Sequence, residues 1–376
     1  MKAMTRVRAA AVTATTVLAI AAGSAPAFAS GAGHAVFVQT DNTAGNQIVA
    51  YSRASDGALT QAGVYNTGGL GGALVGSVVD HLASQGALAY DRDNGLLYAV
   101  NAGSNTISVF AVFGDRLALR QVIGSGGTFP ASIAVHQGLI YVLNAQAGGY
   151  LQGFALHAGY LVAIPASGRA LGLATSEEPQ FVHTPGQVQF SPDGAQLIVT
   201  TKAAGSDIDV FAVAPFSGLL SSSAVVNSVP GTVPFAVTFD RQGHLLVTEA
   251  GTNALASFTL AESGLVSQLD AVGTGQAATC WVVGAGGVFY ASNAGSGSLS
   301  AFQSVLGGQL LVPLSTTPTD AGSVDATVTL GGRFLYVQTG AAGLVDEFSI
   351  AAKGALTEIG SVEVPGAVGG EGIVAG

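Results

Sequence analysis

Short apolar runs, each closed by a polar residue, recur along the chain at near-regular intervals. One reads Leu96-Leu97-Tyr98-Ala99-Val100-Asn101, and its counterparts are residues 35–40, 139–144, 196–201, 244–249, 287–293 and 333–339. Each is followed by Gly, Ser or Asn and then by another apolar run carrying an aromatic: Tyr51, Phe110, Phe154, Phe211, Phe258, Phe302 and Phe348. The aromatics lie 59, 44, 57, 47, 44 and 46 residues apart, which makes seven copies of one unit. Runs this short, rich in Val, Leu and Tyr and bounded by Gly-rich turns, predict β-strands rather than helices. Four short strands in a unit of roughly 50 residues predict a propeller blade. The expected fold class is all-β, a seven-bladed β-propeller of four-stranded blades.

Turn chemistry supports the strand assignment. Ser191-Pro192-Asp193-Gly194, Asp240-Arg241-Gln242-Gly243 and Asp91-Arg92-Asp93-Asn94-Gly95 sit between first and second strands, where a hairpin needs them. The first copy lacks an innermost strand ahead of Ala35, while residues 372–375 form a strand with no copy of their own. Pairing the two closes the ring through the C-terminal strand and leaves no edge exposed.

Side chains alternate along a strand, so the innermost strands divide into two sets. Leu88, Ile133, Val188, Val237, Trp281 and Ile373 form the set expected between blades. Ala87, Ser132, Gln187, Ala236, Cys280, Asp325 and Gly372 are small or polar and are expected to face a polar central channel. The ends of the second strands meet that channel on one face and bring Asn101, Asn144, Lys202, Glu249, Asn293 and Thr339 to it. The long connections, 66–86 and 166–185, are expected on the same face with His81, His183, Glu177 and Glu178. Long loops gathered on one rim are where a propeller ligand would bind.

The N-terminus has a different character. Lys2, Arg6 and Arg8 precede an apolar stretch from Ala9 to Ala22, and Ala27-Phe28-Ala29 offers a small-x-small cleavage site. This predicts a signal peptide over 1–29, cleavage after Ala29, and a secreted protein whose single domain is 30–376. Without the leader, nine basic residues face 22 acidic ones, a net charge near −13. That balance excludes nucleic-acid binding through a basic surface. With 49% apolar and 9% charged residues the chain is not disordered, and one cysteine excludes a disulfide framework. No later apolar run reaches spanning length, so a soluble monomer with no membrane span is expected. No Gly-x-Ser-x-Gly, Gly-x-Gly-x-x-Gly or His-x-x-x-His occurs, so no cofactor and no metal site are expected.

The repeat as a whole, the stretch Asn101-Ala102-Gly103-Ser104-Asn105, the turn Ser191-Pro192-Asp193-Gly194 and the pair Cys280-Trp281 resemble the lactonase-family seven-bladed propellers. Residues 34–376 carry the resemblance, which points to the secreted bacterial members described as carboxymuconate-cyclase-like. It implies 6-phosphogluconolactone hydrolysis or muconate lactonisation at the channel mouth. Lactonases of this type carry Pro-Arg-His before an innermost strand, where this chain has Pro185-Gly186-Gln187.

The candidate chemistry follows from the rim. Glu249 stands where other blades place Asn or Thr, as a general base would. Lys202, in the neighbouring blade, is the candidate anchor for a substrate carboxylate or a lactone oxyanion. Asn101, Asn144 and Asn293 would orient a small lactone or carboxylate ligand, with Gln187, Asp325 and His183 completing its surround. Cys280 as a nucleophile would need a positioned His and an electropositive setting, and its neighbour Trp281 marks a packed strand. Two readings stand side by side: a lactone-cleaving or lactone-forming enzyme, and a non-catalytic secreted propeller that binds a ligand or a protein partner through the same rim.

Overall fold

The computed structural model describes residues 34–376, so the expected leader, 1–29, lies outside the described residues. Seven antiparallel sheets make up the fold, with innermost strands at Ile373–Ala375 in blade one and then at Leu88–Asp91, Pro130–His136, Val188–Phe190, Pro234–Phe239, Thr279–Ala285 and Ser323–Val328. Among the described residues the only helices are four 3-10 turns of three residues each. Neighbouring sheets touch along the axis all round the ring, blade four meeting blade five through Gln196–Thr200 and Pro234–Phe239, and Ile373–Ala375 touching both Ser323–Val328 and Leu88–Asp91. This is a closed seven-bladed propeller.

The C-terminal strand completes blade one as the pattern predicts. Ile373 pairs with Val38, Val374 with Phe37 and Ala375 with Val36. The Gly376 N–H donates to the Ala35 carbonyl at 2.7 Å. Tyrosines carry the seam outward: Tyr336 Oη donates to the Gly57 carbonyl at 2.6 Å, and Tyr51 Oη to the Glu363 carbonyl at 2.7 Å. Between blades three and four Tyr141 does the same to Gly218, and between six and seven Tyr290 to Gly354. A buried ring that ends in a satisfied hydroxyl gives large apolar area without an orphaned polar atom.

The aromatic that marks each repeat is buried in all seven blades. In blades one, two, five, six and seven the pairing with the outermost strand shifts register at that residue. Such a bulge adds local twist, as wedge-shaped blades require. Blade three departs from the pattern: its outer strand, Tyr160–Ala163, is short, and Arg169–Ala170 pairs separately with Tyr150 and Leu151. The hairpins form where expected. In 191–194 the Gly194 N–H donates to the Ser191 carbonyl and Gly194 takes φ 72°, a value a side chain would oppose.

Ring closure should be a large share of stability. Ile373 is 3% exposed, so Ile373→Ala should cost about 2–4 kcal/mol in urea unfolding. Val368→Ala, five residues earlier and 61% exposed, should change little.

Candidate functional site

The first long connection does not stand at the rim of an open channel. It crosses the axis. Ser84 Oγ donates to the Ala131 carbonyl in blade three at 2.8 Å, while Trp281 Nε1 of blade six donates to the Ser84 carbonyl at 2.7 Å. The Gln85 amide bonds Val282 of blade six in both directions, at 3.0 and 2.9 Å, and its main-chain N–H reaches the Gly186 carbonyl of blade four. Toward the closing strand, the His81 N–H donates to the Gly369 carbonyl. At blade seven the strap comes so close that a Cβ on Gly340 would lie 1.7 Å from the Val79 oxygen.

The open polar channel expected at this end is therefore filled. Ala87, Ser132 and Ala236 are fully buried, and Gln187 and Asp325 are 5% and 4% exposed. Gln187 Oε1 accepts the Val237 N–H at 2.7 Å, and Asp325 accepts those of Ala326 and Ile373 at 2.9 and 3.3 Å. Both belong to the inter-blade framework. Burial also pushes the Cys280 thiol up to about 12, which leaves it a neutral core group.

Lys202 begins the 3-10 turn Lys202–Ala204 with φ 51°, a left-handed conformation that a side chain opposes. Its ammonium donates to the Ala83 carbonyl at 2.7 Å, the Phe181 carbonyl at 2.6 Å and Thr184 Oγ1 at 2.9 Å, and lies 5.3 Å from the centre of the Phe235 ring. All three protons are thus engaged and the residue is 1% exposed. Burial lowers its pKa to about 7, against the opposing pull of the Asp80 carboxylate. Lys202 is a cross-link between the two long connections, which corrects its expected role as an anion anchor.

Glu249 is also buried, with Oε2 accepting from Thr252 Oγ1 at 3.0 Å, and burial raises its pKa. No ion pair joins it to Lys202, whose three N–H groups go to Ala83, Phe181 and Thr184. Asn101, Asn144 and Asn293 are fully buried. Asn101 bonds Asn46, Thr106 and Ser108, Asn144 bonds the Ser125 and Tyr150 carbonyls, and Asn293 bonds Thr279, Ser298 and Ser300. They brace the loops at the second-strand ends, where an amide supplies both donor and acceptor.

His183 is the candidate that meets solvent. It lies in a small open cleft of about 30 Å³ formed by Ala145–Gly148 of blade three and by residues 173–184 of the second long connection. Its Nε2 is 3.2 Å from Glu177 Oε2, and its Nδ1 is 3.1 Å from the Pro179 carbonyl. Both ring nitrogens thus face oxygen acceptors. Thr184, in the same lining, accepts a hydrogen bond from the Lys202 ammonium.

A second polar group escaped the sequence reading. Asp41, Asp80, Asp325 and Glu371 are all buried around the strap and the closing strand. Only Asp325 was legible from strand alternation. Glu371, an acid between glycines at the head of the closing strand, was a signal that could have been used, whereas Asp41 and Asp80 lie in loops without pattern. Among the described residues no three carboxylate, imidazole or thiol groups are arranged to hold a metal ion.

No protein-family model and no curated protein sequence matches the chain. Solved structures do. The fold resembles a proposed 6-phosphogluconolactonase of Bacteroides uniformis with a TM-score of 0.73 at 18% identity, covering 91% of this chain and 98% of that one. It resembles the periplasmic gluconolactonase PpgL of Pseudomonas aeruginosa with a TM-score of 0.73 at 17% identity, covering 90% and 98%. A Lactobacillus plantarum protein gives 0.72 at 19% identity, covering 91% and 98%. The chain shares the propeller fold of these structures, two of which are described as gluconolactonases. No helix of the described residues is long and apolar enough to cross a membrane.

Lys202→Met removes three hydrogen bonds and strands two buried carbonyls together with the Asp80 carboxylate. A loss of about 3 kcal/mol or more is expected in urea unfolding. Amide exchange should rise in both 80–87 and 173–184. Unchanged stability and exchange would contradict the cross-link.

Proposed function

We propose that the protein is an exported lactonase that hydrolyses uncharged lactones at the cleft beside blade three, with Glu177 and His183 handling the proton. The observation that carries this reading is the imidazole–carboxylate pair, 3.2 Å apart and opening on a cleft. The likeness to a periplasmic gluconolactonase supports the lactone class, and the leader predicted over 1–29 supports export.

In this reading a water in the cleft gives up a proton to the pair as its oxygen attacks the lactone carbonyl. The acyl C–O bond of the ring then breaks, the proton passes to the departing ring oxygen, and an open-chain hydroxy acid leaves. The lining contains neither lysine nor arginine, and Glu177 is its one carboxylate. A phosphorylated lactone or a carboxymuconate would carry anionic groups toward Glu177 with no cation to receive them. Neutral lactones therefore fit better than either substrate class implied by the resemblance.

The test is acid release in a pH-stat by protein beginning at Ser30, against sugar lactones, acyl lactones and muconolactones. His183→Gln and Glu177→Gln should each lower kcat/KM by about 10²-fold or more with unchanged thermal unfolding. Glu262→Gln, on an exposed turn elsewhere, should match the parent. Loss in Glu249→Gln with full activity in His183→Gln would return the site to blade five. Silence on every lactone would overturn the enzyme and leave the cleft as the seat of a binding propeller.

A further inference from the structure

The strap across the axis and the strand that closes the ring are held by one set of carboxyl groups. Glu371 Oε1 accepts the N–H of Gly86 at 2.9 Å and that of Ala87 at 3.4 Å, while the Glu371 N–H donates to Asp41 Oδ2 at 2.7 Å. Asp80 folds the strap on itself by accepting the N–H groups of Leu82 and Ser84 at 2.7 and 2.9 Å. Asp325 accepts the N–H of Ile373 in the closing strand. Asp41 Oδ1 accepts from Gln39 Nε2 at 2.5 Å.

Two side-chain oxygens in this network are left over, Gln39 Oε1 and Glu371 Oε2. Glu371 Oε2 is fully buried and has no donor. Its carboxyl lies within hydrogen-bonding reach of that of Asp325. Two buried carboxylates cannot bond each other when both are ionised, but a carboxylic acid and a carboxylate can, because the acid supplies the O–H. A proton on this pair satisfies the Glu371 oxygen and removes a charge from the axis.

We propose that Asp325 and Glu371 share a proton that latches the axial strap to the ring-closing strand, and that its loss releases residues 80–87 and opens this end of the propeller. Glu371 faces Asp325, Asp80 and Asp41, and Asp80 faces Lys202, with Cys280 beside them. Burial raises the carboxyl of Asp80 to about 6, Asp325 to about 7 and Asp41 to about 8, and that of Glu371 well above its usual range. Groups raised in this way favour the folded contact while protonated, and their contribution is lost as pH rises through those values. Lys202, lowered to about 7, gives up its charge in the same interval. The cation facing Asp80 thus fades as the acids ionise. His81 and Lys202, both lowered by burial, have the opposite sign and offset part of that loss as pH rises, but they are two groups against four raised acids. The latch holds in mild acid and slips between about pH 6 and 8.

The test is hydrogen exchange of the intact folded protein at pH 5.5 and 8.5, corrected for the intrinsic rate of amide exchange. Protection of residues 80–87 and 371–376 should fall about tenfold or more at the higher pH, the effect of a single pKa unit. The strand Ser298–Val305 of blade six, which carries no titratable group, should keep its protection. Glu371→Gln supplies a permanent amide donor in place of the proton and should hold the strap at both pH values. Asp325→Asn serves the same purpose if that variant folds poorly. Equal protection of the strap at both pH values, an undiminished fall in the amide variant, or an equal fall in Ser298–Val305 would each overturn the latch. Lactone turnover plays no part in the measurement, so the latch and the proposed activity stand or fall separately.

Discussion

A length of main chain that crosses the axis of a ring of sheets must find a partner there for each N–H and C=O, because no strand ladder supplies one. That constraint organises the functional face of this propeller. The carbonyl of Ser84 takes the Trp281 indole, that of Ala83 takes the Lys202 ammonium, and that of Gln85 takes the Ser132 hydroxyl. The N–H groups of Leu82, Ser84 and Gly86 go to Asp80 and Glu371. Buried charges survive at this place because they satisfy main chain that would otherwise be orphaned, at a cost of roughly 1–3 kcal/mol for each group.

The same constraint determines which polar side chains meet solvent. Once the strap fills the axial end, the polar side chains that strand alternation aims at the channel become framework. Solvent-facing chemistry shifts outward to the second long connection, which Lys202 ties to the strap through Phe181 and Thr184. The Glu177–His183 pair is therefore carried on a loop whose position depends on a buried lysine rather than on a strand. A substitution at Lys202 that lowered activity would act through placement of the loop and would not by itself reveal a contact with substrate.

Likeness of fold does not carry likeness of chemistry. At 17–19% identity the lactonase-like structures share the ring with this chain. The electrostatics of the cleft are its own. A lining without lysine or arginine and with a single glutamate differs from what a phosphosugar would need. The replacement of Pro-Arg-His by Pro185-Gly186-Gln187 agrees with that difference.

The repeat and the ring were legible in the sequence, because strand pairing and packing between blades are repeated in every unit and leave a period. The marker aromatics, the hairpins and the pairing of Ile373 with Val38 all follow from local alternation and turn chemistry. What alternation could not reveal was which polar side chains see water. Asn101, Asn144 and Asn293 share a period but are buried, and Lys202 and Glu249 stand at the expected strand ends yet beneath a covering layer. The strap from 80 to 87 and the cleft loop from 173 to 184 occur once each, so no repeat announces them. The course of the strap is set in part by partners some 200 to 290 residues away in the chain, as with Ser84 and Trp281 or Gly86 and Glu371. The sequence by itself determined the blades, their number and the closure of the ring, since these depend on short-range pattern. Only the tertiary structure decided where the ring is sealed and where it stays open, because that depends on how single-copy segments satisfy their polar groups.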